Sequence, residues 1–437
     1  MSTSHEDLLI EAPLDALEAV ARLAASGRFA DYVVYERPGH WVFAGDSIGT
    51  VTLDSDQVHV GWDGEVRSAS WSGRPAQVLD DALASLPIGD RQAYGWIGFE
   101  FCAYTHEAQR HLTGVRELAH LMVPRVEVRI DGAGTSIVGC DDAERDAIAA
   151  IVAAADAPEP TPEPVDISHD GTDYQGRVAK AVAEISDGRY QKVILSRKVE
   201  LPFAVDMPAT YRYGRANNTP ARSFLLRMGD LEAAGFSPEL VASVDEAGVV
   251  TTEPLAGTRA FGRGVAEDLA ARIDLESDPK EIVEHAVSVR TSMAEIESVA
   301  EPGTSSVSDF MTVRERGSVQ HLASTVRGQL SSKHSHWEAL EVLFPSVTAS
   351  GIPKRESVDA IFRLDDAARG LYSGAVVSVS GSGVLEATLV LRAVYQQNGS
   401  AWLRAGAGVI EQSRPEREFE ETCEKLSSVS PYVVRAQ

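Results

Sequence analysis

Cysteine is scarce in this chain of 437 residues, which contains only Cys102, Cys140 and Cys423. Their number is odd, their spacing is wide, and no Cys-x-x-Cys pair or Cys/His cluster occurs. The sequence therefore indicates neither a disulfide framework nor a zinc site. This cysteine usage fits a reducing compartment, so we expect a cytoplasmic protein.

Basic residues and long apolar runs are also in short supply. The chain has 40 Lys and Arg against 65 Asp and Glu, a formal net charge of −25. A surface this acidic repels phosphate backbones and anionic lipids, so nucleic acid and membrane partners are not expected. No apolar run reaches the roughly 18 residues of a membrane span, and the acidic N-terminus lacks the basic segment of a signal peptide. An anionic substrate would need local positive charge or a metal ion.

The elements that the sequence does predict alternate between hairpins and single helices. Many hairpins and few strand–helix–strand crossovers predict an α+β fold with antiparallel sheets. Helices are predicted over residues 13–25, 141–155, 174–188, 279–300 and 414–429. Strands are predicted as a meander over 31–62, a strand over 93–101, a hairpin over 123–139, a strand from 192, a strand–turn–strand unit over 221–244, a strand over 318–330 and two hairpins over 374–410.

One segment, "DAPEPTPEPVDISHDGTD", has four prolines among acidic residues and is typical of an extended, solvated connector. It predicts an N-terminal half over residues 1–155, a connector over 156–172 and a C-terminal half over 173–437.

Two predicted helices carry paired carboxylates on one face. Glu281 and Glu284 are three residues apart in "PKEIVEH", and Glu418, Glu421 and Lys425 share a face in "EREFEETCEKL". Carboxylates from two helices can hold Mg²⁺, which binds oxygen ligands. The alternatives are a solvated acidic face, or a simple pair between Glu281 and the lysine before it.

Single residues in strands offer further candidates. Lys192 opens the apolar run of "RYQKVILSR", either as a strand-end charge reaching water or as an amine held in a pocket. Glu239 follows a proline between two apolar strands, where partial burial would raise its pKa and suit a general acid; an ordinary strand-end acid is the alternative. His321 lies in an apolar strand, where a core histidine is the alternative to a functional one.

Glycines at strand ends could let the backbone approach an anion. "RAGAGVI" contains Gly406 and Gly408, and "PLAGTR" contains Gly257 and Thr258. A strand edge or bulge is the alternative for such glycines.

Taken together, the motifs resemble the chorismate-utilising enzyme family. They cover most of residues 170–430 in the family's order: "KVILSR", "SPELVASV", "EPLAGTR", "SDPKEIVEH", "RERGSVQHLASTVRG", "VTASGIPK", "RGLYSGAV" and "RAGAGVIEQSRPEREFEETCEK". The first 150 residues match more loosely. The resemblance implies one large α+β unit, a chorismate-binding enzyme fold of two antiparallel sheets stacked face to face with helices outside.

The resemblance also implies roles for matching positions. Glu284 and Glu421 match the Mg²⁺ carboxylates, with Glu281 and Glu418 close by, and Glu239 matches the acid that protonates the leaving C4 hydroxyl. His321 matches a histidine near the reacting ring. The positions that match holders of the two substrate carboxylates are Gly257, Thr258, Tyr372, Arg392, Gly406, Gly408 and Lys425.

Lys192 separates the branches of that family. Members that use ammonia usually carry glutamine there, whereas members that use water carry lysine, because water needs a base to take its proton. "VTASGIPK" and "RGLYSGAV" further resemble the salicylate synthases of siderophore pathways, which implies conversion of chorismate to isochorismate and then to salicylate. The alternatives are an enzyme that stops at isochorismate, an ammonia-dependent anthranilate synthase subunit, and a non-catalytic cation-binding protein. We expect a monomer without a glutaminase partner.

Overall fold

The chain folds into 21 strands and 11 α-helices within the part described by its computed structural model, residues 8–10 and 15–437 apart from 115, 156, 157, 159 and 318. The strands are β1 (Leu8–Ile10), β2 (Tyr32–Arg37), β3 (His40–Asp54), β4 (Gln57–Trp62), β5 (Glu65–Ser70), β6 (Gln92–Ile97), β7 (Glu117–Asp131), β8 (Gly134–Val138), β9 (Lys192–Leu201), β10 (Arg222–Met228), β11 (Leu231–Ser237), β12 (Leu240–Val244), β13 (Val249–Thr252), β14 (Leu255–Ala260), β15 (Ser306–Arg316), β16 (Val319–Gln329), β17 (Gly351–Ile352), β18 (Ala375–Ser380), β19 (Leu385–Leu389), β20 (Ala393–Gln397) and β21 (Ser400–Val409). The helices are α1 (Ala16–Ala25), α2 (Pro75–Ala84), α3 (Cys102–Thr105), α4 (Asp142–Val152), α5 (Tyr174–Ser186), α6 (Met207–Ala216), α7 (Val265–Ser277), α8 (Pro279–Val299), α9 (His336–Leu343), α10 (Lys354–Leu364) and α11 (Pro415–Leu426).

Two long strands, β3 and β7, belong to both of the antiparallel sheets. They pair with each other along their length, and the register shifts between Ser47 and Gly49. Before that shift β3 also pairs with β2, and after it with β4. The first sheet has the order β1-β8-β7-β3-β2-β10-β11-β20-β21-β9-β17. The second has the order β5-β4-β3-β7-β6-β18-β19-β12-β13-β16, with β14 and β15 also paired to β16.

The two sheets pack face to face over a shared apolar core. Tyr35, Phe224 and Tyr395 enter that core from the first sheet, and Trp96 and Val376 enter it from the second. Helices α1, α4, α6 and α11 contribute to a second cluster on the outer side of the first sheet. A third apolar cluster contains residues from helices α2, α8, α9 and α10. The predicted α+β fold, with two stacked antiparallel sheets and helices outside, is confirmed.

Most predicted elements are present, and two differ. The strand predicted over 93–101 ends at Ile97, and residues Phe99–Phe101 form a 3₁₀ turn. There the Glu100 carboxylate accepts hydrogen bonds from the backbone N–H of Arg369 (2.7 Å) and Gly370 (3.0 Å), which ties the turn to a neighbouring loop. The segment 221–244 contains three strands, because Pro238 lacks the N–H that would continue β11 into β12. The first helix begins at Ala16, and its predicted start at 13 lies outside the described residues.

The predicted connector follows the surface of the first sheet. Its described residues contain no helix or named strand, only a bridge between Pro162 and Val434. The Arg197 guanidinium of β9 donates to the Ile167 carbonyl at 2.6 Å, which holds the segment in place. The halves on either side share both sheets, since β2 pairs with β10 and β6 pairs with β18. No helix in the described part of the chain is long and apolar enough to cross a membrane.

Candidate active site

One cavity of about 420 Å³ is lined by every site residue that the sequence predicts. It lies where β9 and β21 of the first sheet meet β14, β16, α8 and α11. The predicted residues that line it are Lys192, Glu239, Gly257, Thr258, Glu281, Glu284, His321, Tyr372, Arg392, Gly406, Gly408, Glu418, Glu421 and Lys425.

Two glycines of β21 leave space for side chains that enter the cavity. Gly406 pairs with Ser196 of β9 and Gly408 pairs with Ile194. A Cβ at Gly406 would lie 2.5 Å from the Leu195 carbonyl oxygen and 2.9 Å from the Tyr372 hydroxyl. A Cβ at Gly408 would lie 3.1 Å from Cε of Lys192. Both glycines therefore serve close packing, and each adjoins a predicted functional side chain.

Lys192 points into the cavity and not into water. Its side chain is 8% exposed, and its Nζ lies 2.6 Å from Oε1 of Glu284 on α8. Its backbone is fixed as well, because the Ser357 hydroxyl donates to the Lys192 carbonyl at 2.7 Å. The alternative of a strand-end lysine reaching water is wrong.

Helices α8 and α11 each present two glutamates to the cavity within their first two turns. The Asp278 side chain caps α8 by accepting from the Lys280 N–H at 2.9 Å, and proline opens both helices. Glu281 lies 3.3 Å from the Arg259 guanidinium, so the expected alternative of a pair with the preceding lysine is wrong. Glu421 lies 2.8 Å from Nζ of Lys425.

The four carboxyl groups differ in their affinity for protons. Burial raises all four pKa values and is the largest single influence on Glu284 and Glu421. At Glu284 the charge and hydrogen bond of Lys192, with the charges of Lys280 and Lys425, lower the net pKa; at Glu421 the charge and hydrogen bond of Lys425, with the charge of Arg417, do the same. The pKa values of Glu281 and Glu418 are raised by burial and then by the neighbouring carboxylates Glu284 and Glu421. The site thus holds two carboxyl groups with lowered pKa values, each paired with a lysine, and two with raised pKa values beside them.

These carboxylates fit a hard divalent cation in kind. They provide only oxygen ligands, and like charges crowd together on each helix, which a cation between the helices would relieve. Among the described residues, however, no group of three or more His, Cys, Asp or Glu side chains is arranged to hold a metal ion. The glutamates form two pairs, one on each helix. A cation could enter between them if Glu284 released Lys192 and Glu421 released Lys425.

Glu239 is the other acid of the cavity, and its surroundings contrast with those of the glutamate pairs. Its side chain is buried, and the raised pKa of about 8 has burial as its main cause. Its Oε1 accepts a hydrogen bond from the Ser346 hydroxyl at 2.5 Å. Its Oε2 is buried and makes no hydrogen bond to any residue that the structure describes. At neutral pH the group is therefore a protonated acid.

His321 is held as a neutral ring between a backbone carbonyl and a guanidinium. Its Nδ1 lies 2.9 Å from the Gly257 carbonyl oxygen, which only accepts, so Nδ1 carries the ring proton. Its Nε2 accepts from Arg392 at 2.7 Å. Burial, and then the Arg392 charge, lower the pKa of His321 to about 3.

Arg392 and Lys425 place positive charge inside an acidic protein. No carboxylate in the described part of the chain forms an ion pair with the half-buried Arg392, and loss of solvation, followed by the Arg316 charge, lowers its pKa to about 10. Lys425 donates to the Gly406 carbonyl at 2.9 Å. The Tyr372 hydroxyl lies beside Gly406, as its approach to that glycine shows. These groups can bind an anion that the protein's net charge would otherwise repel.

Several further residues of the site were not predicted from the sequence, and three of them carry polar groups of interest. Arg404 and Thr348 line the cavity, and Ser346 bonds to Glu239 from behind it. Arg404 could have been found, because residues 404, 406 and 408 share one face of β21. Thr348 and Ser346 lie in the irregular segment before β17, where no periodicity indicates which side chains point inward.

Comparison with known proteins gives consistent results. A family model described as chorismate binding enzyme matches residues 31–431. Salicylate synthase from Mycolicibacterium paratuberculosis (strain ATCC BAA-968 / K-10) is 52% identical over 425 residues, which span 97% of this chain and 94% of that protein. Anthranilate synthase component 1 from Streptomyces coelicolor is 36% identical over 265 residues, spanning 60% of this chain and 52% of that protein.

Solved structures share the fold at low sequence identity. Anthranilate synthase component I from Streptococcus pneumoniae superposes with a TM-score of 0.75 at 22% identity, covering 98% of this chain and 95% of that one. The menaquinone-specific isochorismate synthase from Escherichia coli superposes with a TM-score of 0.75 at 19% identity, covering 98% and 93%.

Proposed function

Because this chain belongs to the chorismate binding enzyme family, we propose that it converts chorismate to salicylate through isochorismate. The observation that carries this proposal is the 52% identity to a salicylate synthase over nearly the full length of both chains. The cavity supports it, because the buried Lys192, the neutral acid Glu239 and two cationic side chains face one space. Those cations are Arg392, which has no carboxylate partner in the described part of the chain, and Lys425, which is paired with Glu421.

Substrate binding follows from the positive groups. Chorismate is a dianion, with one carboxylate on the ring and one on the enolpyruvyl group. Arg392 and Lys425 supply the charge, and the Tyr372 hydroxyl together with the backbone near Gly406 and Gly257 supplies hydrogen-bond partners. Thr258 follows Gly257 in the cavity wall, where its hydroxyl can donate to a substrate carboxylate.

Mg²⁺ would be held by Glu284 and Glu421, with Glu281 and Glu418 beside them, and when bound it supplies positive charge to the ring carboxylate. Lys192 and Lys425 would then give up their contacts with these glutamates. The Lys192 amine lies beside Gly408 of β21, the strand against which the substrate would lie, so it is placed to serve as a base.

The first step exchanges one hydroxyl for another. Lys192, as the neutral amine that is left once its ion pair with Glu284 has opened and its extra proton has been lost, takes a proton from water as the water oxygen bonds to C2 of chorismate. The ring double bonds shift, and the C4–O bond breaks as Glu239 gives its proton to the leaving hydroxyl, which departs as water. The product is isochorismate, and the two proton transfers balance. A protonated Glu239 is what this role requires.

The second step needs positioning and no further acid or base. The hydrogen at C2 of isochorismate moves to the methylene of the enolpyruvyl group while the C3–O bond breaks, giving salicylate and pyruvate. The contacts of Tyr372, Arg392 and His321 hold the enolpyruvyl group over the ring. The product is aromatic, which makes this step strongly favourable.

Product analysis tests the proposal. Purified protein incubated with chorismate and Mg²⁺ is expected to release salicylate and pyruvate in equal amounts. Accumulation of isochorismate alone would instead identify an enzyme that stops after the first step. Anthranilate formed on addition of ammonium would identify the ammonia-using branch, and no turnover at all would reject the proposal.

The metal is tested by substitution on α8. Glu284→Gln is expected to weaken Mg²⁺ binding measured by calorimetry at least tenfold, and to raise the Mg²⁺ concentration needed for turnover. Glu297→Gln, on the same helix but exposed, is the matched control and should change neither. Full turnover in EDTA would reject the metal while leaving the reaction in place.

A further inference from the structure

Ser346 touches Glu239 from outside the cavity. Its side chain is buried, it is absent from the cavity wall, and its hydroxyl lies 2.5 Å from Oε1 of Glu239. The direction of this hydrogen bond is fixed. The Thr348 backbone N–H donates to the Ser346 oxygen at 3.3 Å, and Oε1 of Glu239 is the one acceptor that the described structure offers to the Ser346 hydroxyl hydrogen.

We propose that Ser346 is a positioning residue for the acid, because it confines the proton of Glu239 to Oε2. This inference rests on the proposed function, in which Glu239 protonates the leaving hydroxyl. An oxygen that accepts the Ser346 hydrogen bond is the carbonyl oxygen of a neutral carboxyl group. The acidic hydrogen then belongs to the other oxygen, and Oε2 has no partner in the described structure.

Other groups around Glu239 do not take this role. The Thr348 hydroxyl is close, but it donates to the Leu255 carbonyl at 3.2 Å. The charges that act on Glu239 are those of Glu253 and Lys192. Glu253 is bonded to Arg314 at 2.8 Å, and Lys192 is bonded to Glu284 at 2.6 Å. Thr348 also lowers the pKa of Glu239, but less than Ser346 does, and Ser346 is the residue whose hydroxyl hydrogen bond to the Glu239 carboxyl the described structure shows.

Ser346 affects Glu239 both before and after the acid gives up its proton. Before the C4–O bond breaks, Ser346 keeps the hydrogen on the oxygen that lacks a protein partner. After the hydrogen has moved to the leaving hydroxyl, the same serine donates to a carboxylate, and hydrogen bonds to charged acceptors are the stronger ones. Ser346 therefore orients the acid and also makes its proton easier to lose.

Ser346→Ala separates this role from a structural one. The alkaline limb of kcat for chorismate consumption reports loss of the Glu239 proton. Without the serine the carboxylate loses a donor, so the limb is expected to move to higher pH by roughly one unit. At a pH below both limbs kcat should fall about tenfold, with KM changed less than twofold. Ser346→Thr keeps the hydroxyl and should restore both properties.

The matched control is Ser350→Ala in the same segment. Ser350 is buried and its hydroxyl donates to the Ser346 carbonyl at 2.8 Å, but it does not touch Glu239. It should lower the melting temperature without moving the limb. An unmoved limb in a folded Ser346→Ala protein would overturn the inference, as would an equal movement in Ser350→Ala. Absence of turnover in the unsubstituted protein would instead reject the proposed function.

Discussion

Two buried groups of the cavity, Lys192 and Glu239, are stabilised in different ways. Lys192 has a carboxylate partner at 2.6 Å, whereas Glu239 has only a neutral hydroxyl. Burial penalises the charged form of any group unless an opposite charge compensates it. Glu239 lacks such a partner, and burial raises its pKa to about 8.

The first prediction concerns Lys192→Gln. Glutamine keeps a polar side chain of similar length but cannot accept the proton of water, so isochorismate formation should fall at least a hundredfold. Added isochorismate should still be converted to salicylate within threefold of the normal rate, because that step uses no base. Salicylate and isochorismate are measured by chromatography. Lys198→Gln, on the same strand, is the control.

Undiminished hydroxylation by Lys192→Gln would remove the lysine as the base. A loss of both steps together would indicate that Lys192 binds substrate and does not act on water.

The second prediction is a pH dependence of stability caused by Glu239. Its pKa is about 8 in the folded protein and near 4.5 when unfolded, so between these values the unfolded chain releases a proton that the folded one keeps. The free energy of unfolding should therefore fall as pH rises from 4.5 to 8. Glu239→Gln removes this loss, and at pH 9 its advantage over the unsubstituted protein should approach 5 kcal/mol, an order-of-magnitude upper limit.

Urea unfolding at pH 5 and pH 9 gives the change in the free energy of unfolding with pH for each protein. The effect of Glu239 is the difference between that change in the unsubstituted protein and that change in Glu239→Gln. Glu246→Gln is the control, because Glu246 is exposed in the turn between β12 and β13. An equal pH dependence in both variants would show that Glu239 is not the group responsible.

The sequence motifs identified the residues of the site, but they did not predict the contacts that those residues make. All the predicted site residues line the cavity, and most of them lie on strands and helices with regular spacing, whereas Glu239, Tyr372 and Arg392 lie in the connections between strands. The partners of those residues were not foreseen. Glu281 bonds to Arg259, which lies 22 positions earlier, and Glu239 bonds to Ser346, which lies 107 positions later. Spacing along the chain carries no information about contacts between elements so far apart.

At the scale of elements, the strand pair β9–β21 forms one wall of the site. Lys192 opens β9, and Gly406 and Gly408 lie in β21 opposite it. Hairpins and helices were predictable from turn residues and periodicity. The number of strands over 221–244 was not, because Pro238 ends one strand and still allows another to begin two residues later.

The third prediction concerns Gly406→Ala. The added methyl group would meet the Leu195 carbonyl at 2.5 Å and the Tyr372 hydroxyl at 2.9 Å, so β21 must move away from β9. We expect a loss of about 2 kcal/mol in the free energy of unfolding, and a rise in KM for chorismate of at least tenfold. Gly132→Ala, where a Cβ meets no atom within 4 Å, is the control for glycine replacement. Unchanged KM in a folded protein would place substrate away from β21.

At the scale of the whole molecule, the two sheets interleave both halves of the chain. The first sheet places β2 beside β10, and the second places β6 beside β18. The order of strands in space could not be predicted from the sequence, because apolar alternation assigns a face to each strand but not a neighbour.

The fourth prediction is that the protein is a monomer. Light scattering coupled to size exclusion should give a mass near 46.9 kDa. The cavity residues discussed here all come from one chain, so activity should not depend on protein concentration. A mass twice as large would contradict this, and the exposed apolar residues Val265, Leu269 and Ile273 along α7 would then be the first surface to substitute.

The pairing of β9 with β21 also bears on how the protein is made. Strand β9 is complete at Leu201, but its partner ends only at Val409, and α11 follows at Pro415. On the ribosome the edge of β9 thus stays unpaired while about 200 further residues are synthesised. A stop codon between β9 and β21 would leave that edge open and delete the cavity residues Glu418, Glu421 and Lys425 at once. Premature termination therefore yields an aggregation-prone chain and never a partly active enzyme.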